Sequence, residues 1–263
     1  LFTQDFVESS VVLDSTNYLL GRLYDWFIFL SAGAPTLGYN GAWGASLTAR
    51  TATLTRSNGM WTNTATITLR TSSSTTFSIG ANQAVYVGTT YGTANGQTGM
   101  NFLPAAAAGG NNSILGVFNT YNRVPMKVAS RDSTSSWAYA LNTWRAANNN
   151  SNNAVNFVDG LGEVTTDASY IVASQPTGAV FAIGAVGINL NSTSATPGLQ
   201  GLGAAASVNT VSNAVAIGII LPALGFNTLN AVENSNAVST TFFGSGAGTG
   251  VGQSQGLVAV VSI

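Results

Sequence analysis

Trp61-Thr62-Asn63-Thr64-Ala65-Thr66-Ile67-Thr68-Leu69-Arg70 carries the period on which the fold class turns. Trp61, Asn63, Ala65, Ile67 and Leu69 alternate with Thr62, Thr64, Thr66, Thr68 and Arg70. Successive side chains of an extended strand point to opposite faces, so this order predicts a half-buried strand with a threonine-lined outer face. The same period returns at Phe77 and Ile79, at Val85, Val87, Thr89 and Tyr91, and at Val124, Met126 and Val128. It returns again at Val215, Ile217, Ile219 and Leu221, and at Leu257, Ala259, Val261 and Ile263.

Between these runs stand Ser57-Asn58-Gly59, Asn95-Gly96, Asp159-Gly160 and Pro197-Gly198. Such residues favour the positive backbone angles that tight connections demand. Many short strands with regular turn signals predict an all-β protein of antiparallel β-sandwich, jelly-roll-like modules with little helix. One segment competes: Leu19, Leu20, Leu23 and Phe27 could form a helical face within Ser15 to Leu30, capped by Ser15 or Thr16. Tyr24 to Leu30 is nevertheless rich in strand formers and runs into Ser31-Ala32-Gly33-Ala34-Pro35. Strand is therefore expected from Tyr24 to Leu30, with a short helix before it left open.

The clearest break in composition is Pro104-Ala105-Ala106-Ala107-Ala108-Gly109-Gly110-Asn111-Asn112-Ser113. Its small residues bury little, which predicts a linker or long loop. Division there gives an N-terminal β module, 1–110, and a C-terminal β-sandwich module, 111–263, both of ordinary domain size. A single sandwich with a long surface loop is the alternative. Asn148 to Asn153 and Gly244 to Gly256 are expected to be exposed connections.

Charged residues make up 6% of the 263-residue chain, against roughly 25% in an ordinary soluble domain. Ser, Thr, Asn, Gln and Gly must coat the surface instead. The apolar runs Ala179 to Leu190 and Val215 to Phe226 fall short of the about 20 residues of a spanning helix, and the second contains Pro222. No membrane insertion is expected. No charged segment followed by an apolar core and a small-residue cleavage site opens the sequence, so no classical secretion signal is expected in it.

Cysteine and histidine are absent. That excludes disulfides, thiolate and histidine metal sites, and nucleophilic triads that use either residue. All but one of the eight basic residues are arginine, and the formal net charge is -1. A nucleic-acid binder normally carries a basic stripe to neutralise phosphates, so no nucleic acid is expected as a partner. A net charge near zero also gives little protection against association.

Few residues could do chemistry. Asp159, Glu163 and Asp167 are the one acidic cluster of the C-terminal half, and a glycosidase needs two carboxylates at a controlled separation. Asp159-Gly160-Leu161-Gly162-Glu163 reads as a turn, and calcium would need six to eight oxygens. Gly244, Gly246, Gly248, Gly250 and Gly252 imitate a phosphate-cradling loop, but no following helix or lysine accompanies them. No catalytic, cofactor or metal site is therefore expected. Aromatic rings can stack on sugars. Trp61, Trp137 and Tyr139 sit in phase with apolar neighbours and are expected in the core, whereas Trp43, between Ala42 and Gly44, is the candidate for an exposed ring against a glycan.

A further pattern runs through the chain. Tyr24-Asp25-Trp26-Phe27-Ile28-Phe29, Trp43, Arg50, Asn58-Gly59, Tyr86-Val87-Gly88-Thr89 and Asn95-Gly96-Gln97-Thr98 occur in that order. They are followed by Tyr121-Asn122-Arg123-Val124-Pro125, Asp132-Ser133, Ser136-Trp137-Ala138-Tyr139 and Trp144-Arg145-Ala146-Ala147-Asn148. Val155, Phe157, Gly160, Glu163 and Thr240-Thr241-Phe242-Phe243-Gly244 complete the set. In this order the landmarks resemble those of a family of tailed-bacteriophage virion surface proteins, placed on tails, fibres or heads. The segments from Ala105 to Gly110 and from Val208 to Phe226 depart from that pattern, and no receptor-binding residue is carried over.

The resemblance implies a structural, non-enzymatic protein at the virion surface, and two roles follow. The first is a fibre, spike or tail-surface subunit for host attachment. The second is a capsid decoration or cement protein packed through the Val208 to Phe226 stretch. A bacterial cell-surface adhesin, which could share the same composition, is the alternative outside the resemblance. Expected partners are other virion proteins, further copies of the chain in a homotrimer or other cyclic oligomer, and a host surface glycan. Tyr121, Arg123, Trp137, Tyr139, Trp144 and Arg145 are expected to pack structurally. Each arginine would stack on an aromatic ring and hydrogen-bond backbone carbonyls or Asp132.

Overall fold

The computed structural model describes residues 9–177, 182–205, 210–247 and 255–263. Among them the fold is all-β, and the single helical turn is a 3-10 helix at Ala147–Asn149. The first sheet holds β1 (Leu23–Ser31), β2 (Ala34–Asn40), β3 (Leu54–Ser57), β4 (Met60–Asn63), β5 (Ile67–Arg70), β6 (Thr76–Ile79) and β7 (Ala84–Ala94). Their order is β3-β4-β7-β1-β2-β5-β6, and β8 (Gln97–Thr98) and β11 (Val117–Asn119) also pair with β7. The second sheet takes β9 (Met100–Asn101), β10 (Ser113–Leu115), β14 (Arg145–Ala146), β15 (Ala154–Asp159), β17 (Ala182–Leu190), β18 (Leu199–Ala205) and β20 (Gly225–Ser235). The third takes β12 (Pro125–Ser130), β13 (Ser136–Tyr139), β16 (Thr166–Pro176), β19 (Ser212–Ile220), β21 (Thr240–Phe243) and β22 (Gly256–Ser262).

Every described ladder is antiparallel except β10 with β15. The sheets curl into half-barrels. The second and third pack on one another through β16 against β17 and β18 against β19, which gives the sandwich-like arrangement. One apolar cluster runs from Leu23 to Val261, and a small aromatic cluster of Tyr18, Tyr24 and Tyr39 stands apart from it.

The boundary expected between residues 110 and 111 is crossed by strand pairing. β9 precedes it and pairs with β10, which follows it. β11 then returns to β7 in the first sheet, while Tyr91 of β7 stacks on Phe226 of β20 at 4.2 Å. The Pro104–Ser113 segment is held down as well, since Gly109 N–H donates to Asp132 Oδ1 at 2.9 Å.

Period two is realised as strands, with three local differences. The stretch from Trp61 to Arg70 is two strands, because the Asn63 side chain takes over the backbone at a corner. Its Nδ2 donates to Ala65 O at 2.7 Å and Gly80 O at 2.8 Å, and its Oδ1 accepts from Ala84 N–H at 3.0 Å. A side chain that satisfies three backbone groups can end a ladder without leaving them orphaned. In β7 the fully buried ring is Tyr86 and not Val85 or Val87, since a register shift against Trp26 and Phe27 changes the phase. Before β1, the open alternative of a helix resolves as a turn: Asp14 accepts from Thr16 N–H and Asn17 N–H at 3.1 and 2.9 Å.

Candidate interaction face

The third difference marks the most unusual surface among the described residues. In β19, Ala214 and Ala216 point inward and are fully buried. Val215, Ile217, Ile219 and Leu221 face outward, at 41%, 73%, 65% and 73% exposure. Large aliphatic groups outside and small ones inside reverse the usual order.

The cause lies beneath the strand. β18 runs so close to β19 that a Cβ on Gly201 would collide with Val215 O, and one on Gly203 would stand 3.2 Å from the Ala214 Cβ. On Gly218 a Cβ would meet Leu199 Cδ2 at 2.7 Å. Glycine and alanine are the residues that fit such a gap, so the bulk is carried on the other face.

The outer face extends across the sheet by register. Ile219 lies opposite Asp167 of β16, which lies opposite Val260 of β22, which lies opposite Lys127 of β12. One level along, Ile217 lies opposite Ser169 and Ser169 opposite Val258. Between these rows runs a shallow groove of about 290 Å³. Aliphatic walls with one carboxylate and one ammonium at the margin can bind a matching apolar surface. They hold no converging set of groups able to move a proton.

The acidic trio does not converge. Asp159 is fully buried and accepts from Leu161, Gly162 and Val164 N–H at 3.0, 2.8 and 3.1 Å, which fixes its turn. Glu163 bridges Arg123 at 3.1 Å and Arg56 at 3.8 Å, and Asp167 faces out on β16. Among the described residues no three acidic side chains are grouped to hold a metal. A Cβ added to Gly244 or Gly246 would collide with Thr134 O or Ser133 O, so both sit in a packed turn, while Gly248, Gly250 and Gly252 lie outside the described residues.

Arg145 meets an acidic partner other than Asp132. Arg145 Nε donates to Glu233 Oε1 at 2.8 Å, and its guanidinium lies 3.8 Å from the Tyr139 ring centre. Trp137 Nε1 donates to Glu233 Oε2 at 2.7 Å, and Trp137 stacks on Phe242. Burial pushes the Glu233 carboxyl above its ordinary range, with Trp137 and Arg145 opposing. Arg123 pairs with Glu163 over the Phe118 ring, and Tyr121 Oη accepts from Trp61 N–H at 3.0 Å. Trp144 is half-buried in a shallow cleft with Leu202 and Asn234.

Asp132 is taken by amides instead of arginine. Burial would raise its carboxyl, but donors from Thr134, Asn148 and Asn153 outweigh that and hold it low. Trp43 is 2% exposed, so its ring is not open to a glycan. It covers Arg50, whose guanidinium lies 4.9 Å from the Trp43 ring and 4.7 Å from Tyr86. Arg50 Nε donates to buried Asp25 Oδ2 at 3.0 Å, and Arg50 Nη2 reaches Gly160 O. This pair ties the first sheet to the turn after β15. Its members stood among the landmark residues, but nothing in a linear sequence pairs residue 25 with residue 50.

Neither family models nor curated proteins give a match to this chain.

Proposed function

We propose that the chain is a structural subunit of a tailed-bacteriophage particle surface, a fibre, spike or tail-surface component that contributes to host attachment. The observation that carries the assembly reading is the outward row of Val215, Ile217, Ile219 and Leu221. Fully burying one such side chain contributes about 1.5–3 kcal/mol. Association costs roughly 4–15 kcal/mol, so one or two of them would not hold a complex and the whole row could. The ordered landmarks from Tyr24 to Gly244 support the virion location.

A second reading, a capsid decoration or cement protein, draws on the same residues. The exposed aliphatics lie across a sheet face and not at a loop tip, a shape suited to lying flat on a neighbouring subunit.

The test is assembly state and location. Sedimentation of the purified chain is expected to give a homotrimer or other cyclic oligomer. The double substitution Ile217→Ser and Ile219→Ser is expected to yield a smaller species with an unchanged far-ultraviolet spectrum, because both side chains point away from the chain's own core. A highly soluble monomer would refute the assembly reading. Labelling of intact particles with an antibody to the chain separates tail from head, and particles that bind none of it would refute the location.

A further inference from the structure

The ladder between β2 and β5 is short. Tyr39 pairs with Arg70 and Asn40 with Leu69, after which the chain leaves β2 through Gly41 while β5 begins at Ile67. The strands part there and leave a cleft of about 370 Å³, lined by Tyr39, Asn40, Thr51, Thr66, Thr68 and Arg70 among others. That volume is in the roughly 300–1,000 Å³ range of small-molecule sites.

Its walls differ from those of the β19 groove. Thr68 and Arg70 are spaced by two on β5 and share one face, and Thr66 stands just before the strand begins. The Thr66 and Thr68 hydroxyls are exposed and have no protein partner among the described residues. Asn40 is only 6% exposed. Its Oδ1 accepts from Gly41 N–H at 2.9 Å, which does the structural work of the bend. The Nδ2 donors, in contrast, have no partner among the described residues, although the residue lines the cleft. Solvent reaches Nδ2, so its donors are open to an occupant of the cleft.

Arg70 adds a charge. Arg50, Arg56, Arg123 and Arg145 each have a carboxylate partner, whereas Arg70 has none among the described residues. Its Nη1 donates to Ser73 O at 2.8 Å, which leaves the Nε–Nη2 edge free. That planar edge matches the two oxygens of a carboxylate.

A negative charge is bonded to two lining residues, Tyr39 and Asn17. Asp14 Oδ2 accepts from Tyr39 Oη at 3.2 Å, and hydrogen bonds led by that from Thr16 hold its carboxyl ionised, with a pKa lowered to about 2. A carboxylate near the one guanidinium repels a doubly charged phosphate more than a singly charged carboxylate.

We propose that this cleft binds an acidic saccharide, with the sugar carboxylate on the free edge of Arg70 and ring hydroxyls on Thr66, Thr68 and Asn40 Nδ2. A wholly apolar occupant would leave the hydroxyl, amide and guanidinium groups of the cleft unpaired. The site is separate from the β19 face and does not depend on the assembly reading.

The experiment is an amide-resolved NMR titration of the full chain with glucuronic acid, N-acetylneuraminic acid, glucose and inorganic phosphate. Glucose is the neutral counterpart of glucuronic acid, differing only at the carboxylate carbon. An acidic sugar is expected to give saturable shifts at residues 39–41 and 66–70, with glucose about tenfold weaker or more. Arg70→Gln is expected to abolish that preference with the melting temperature retained, and Arg70→Lys to restore only part of it. Absence of saturable shifts with both acidic sugars on the native chain would overturn the proposal. So would equal binding of glucose, competition by phosphate at the same strength, or a preference that survives Arg70→Gln.

Discussion

Arg145→Ala isolates what a buried carboxylate requires of its partner. Glu233 is fully buried and accepts from Arg145 and from Trp137 Nε1. Removing one member of a buried pair costs about 3–5 kcal/mol, mostly from the charge left behind. The Arg145 side chain is 25% exposed and water enters where it stood, which brings the expected loss to roughly 2–3 kcal/mol. That figure includes the stacking on Tyr139, about 0.5–1 kcal/mol at a partly exposed site. At about 2–4 °C per kcal/mol for a chain near this size, the melting temperature should fall by roughly 4–12 °C.

The pH dependence identifies the cause. The Glu233 carboxyl is pushed above its ordinary 4.5 by burial, so the folded state holds its proton more tightly than the unfolded chain does. Stability from this group is therefore complete below the unfolded value and is lost as pH rises through the folded one. Without Arg145 the folded value rises further, so the deficit of Arg145→Ala should shrink between about pH 7.5 and pH 5. Adding Glu233→Gln should recover most of the loss at the higher pH, as a coupled pair in a double-mutant cycle does. Thermal melts of the four proteins at both pH values decide the matter. A deficit that is independent of pH and is not relieved by Glu233→Gln would refute the reasoning.

Two glycines separate backbone strain from steric closure. Gly59 has φ of 83° in the hairpin between β3 and β4, with open space around its Cα, so Gly59→Ala should cost only about 1 kcal/mol and leave the spectrum of the fold intact. Gly201→Ala places a methyl against Val215 O and should force β18 from β19, seen as lost amide protection in both strands. Equal effects of the two substitutions would contradict the closure argument. Trp137→Phe keeps the ring stack on Phe242 but deprives Glu233 of a 2.7 Å donor, and a loss of about 1–3 kcal/mol by chemical denaturation is expected.

Strands, hairpin turns and much of the core were legible because they depend on neighbours a few residues apart. Asn58-Gly59 forms the two-residue connection its residues favour, with both φ angles positive, and Leu257, Ala259 and Val261 line the core in the expected phase. Trp137 and Tyr139 were likewise readable as buried, since they alternate within one short strand. The acidic partners were not. Asp25 meets Arg50, and Glu233 meets Arg145 across 88 residues, through strand order that no local period encodes. Trp43 shows the same limit: flanking Ala and Gly suggested an open ring, while Arg50 and the first sheet enclose it.

The reversed phase of β19 has a different origin. Alternation says that residues 215, 217 and 219 share one face, and they do; it does not say which face meets the core. Usually hydrophobicity decides, because one phase is polar. Here both phases are apolar, Ala214, Ala216 and Gly218 against Val215, Ile217 and Ile219, so separation between the sheets decides instead. With Gly201 and Gly203 bringing β18 close, the narrow side accepts only the small phase, and the large one is left in water. A polar outer row of Thr or Ser would fit the same backbone, as the outer faces of β5 and β6 illustrate with Thr68, Thr76 and Ser78. The aliphatic row on β19 is therefore not a requirement of the fold, and burial against another surface is the physical circumstance in which it becomes favourable.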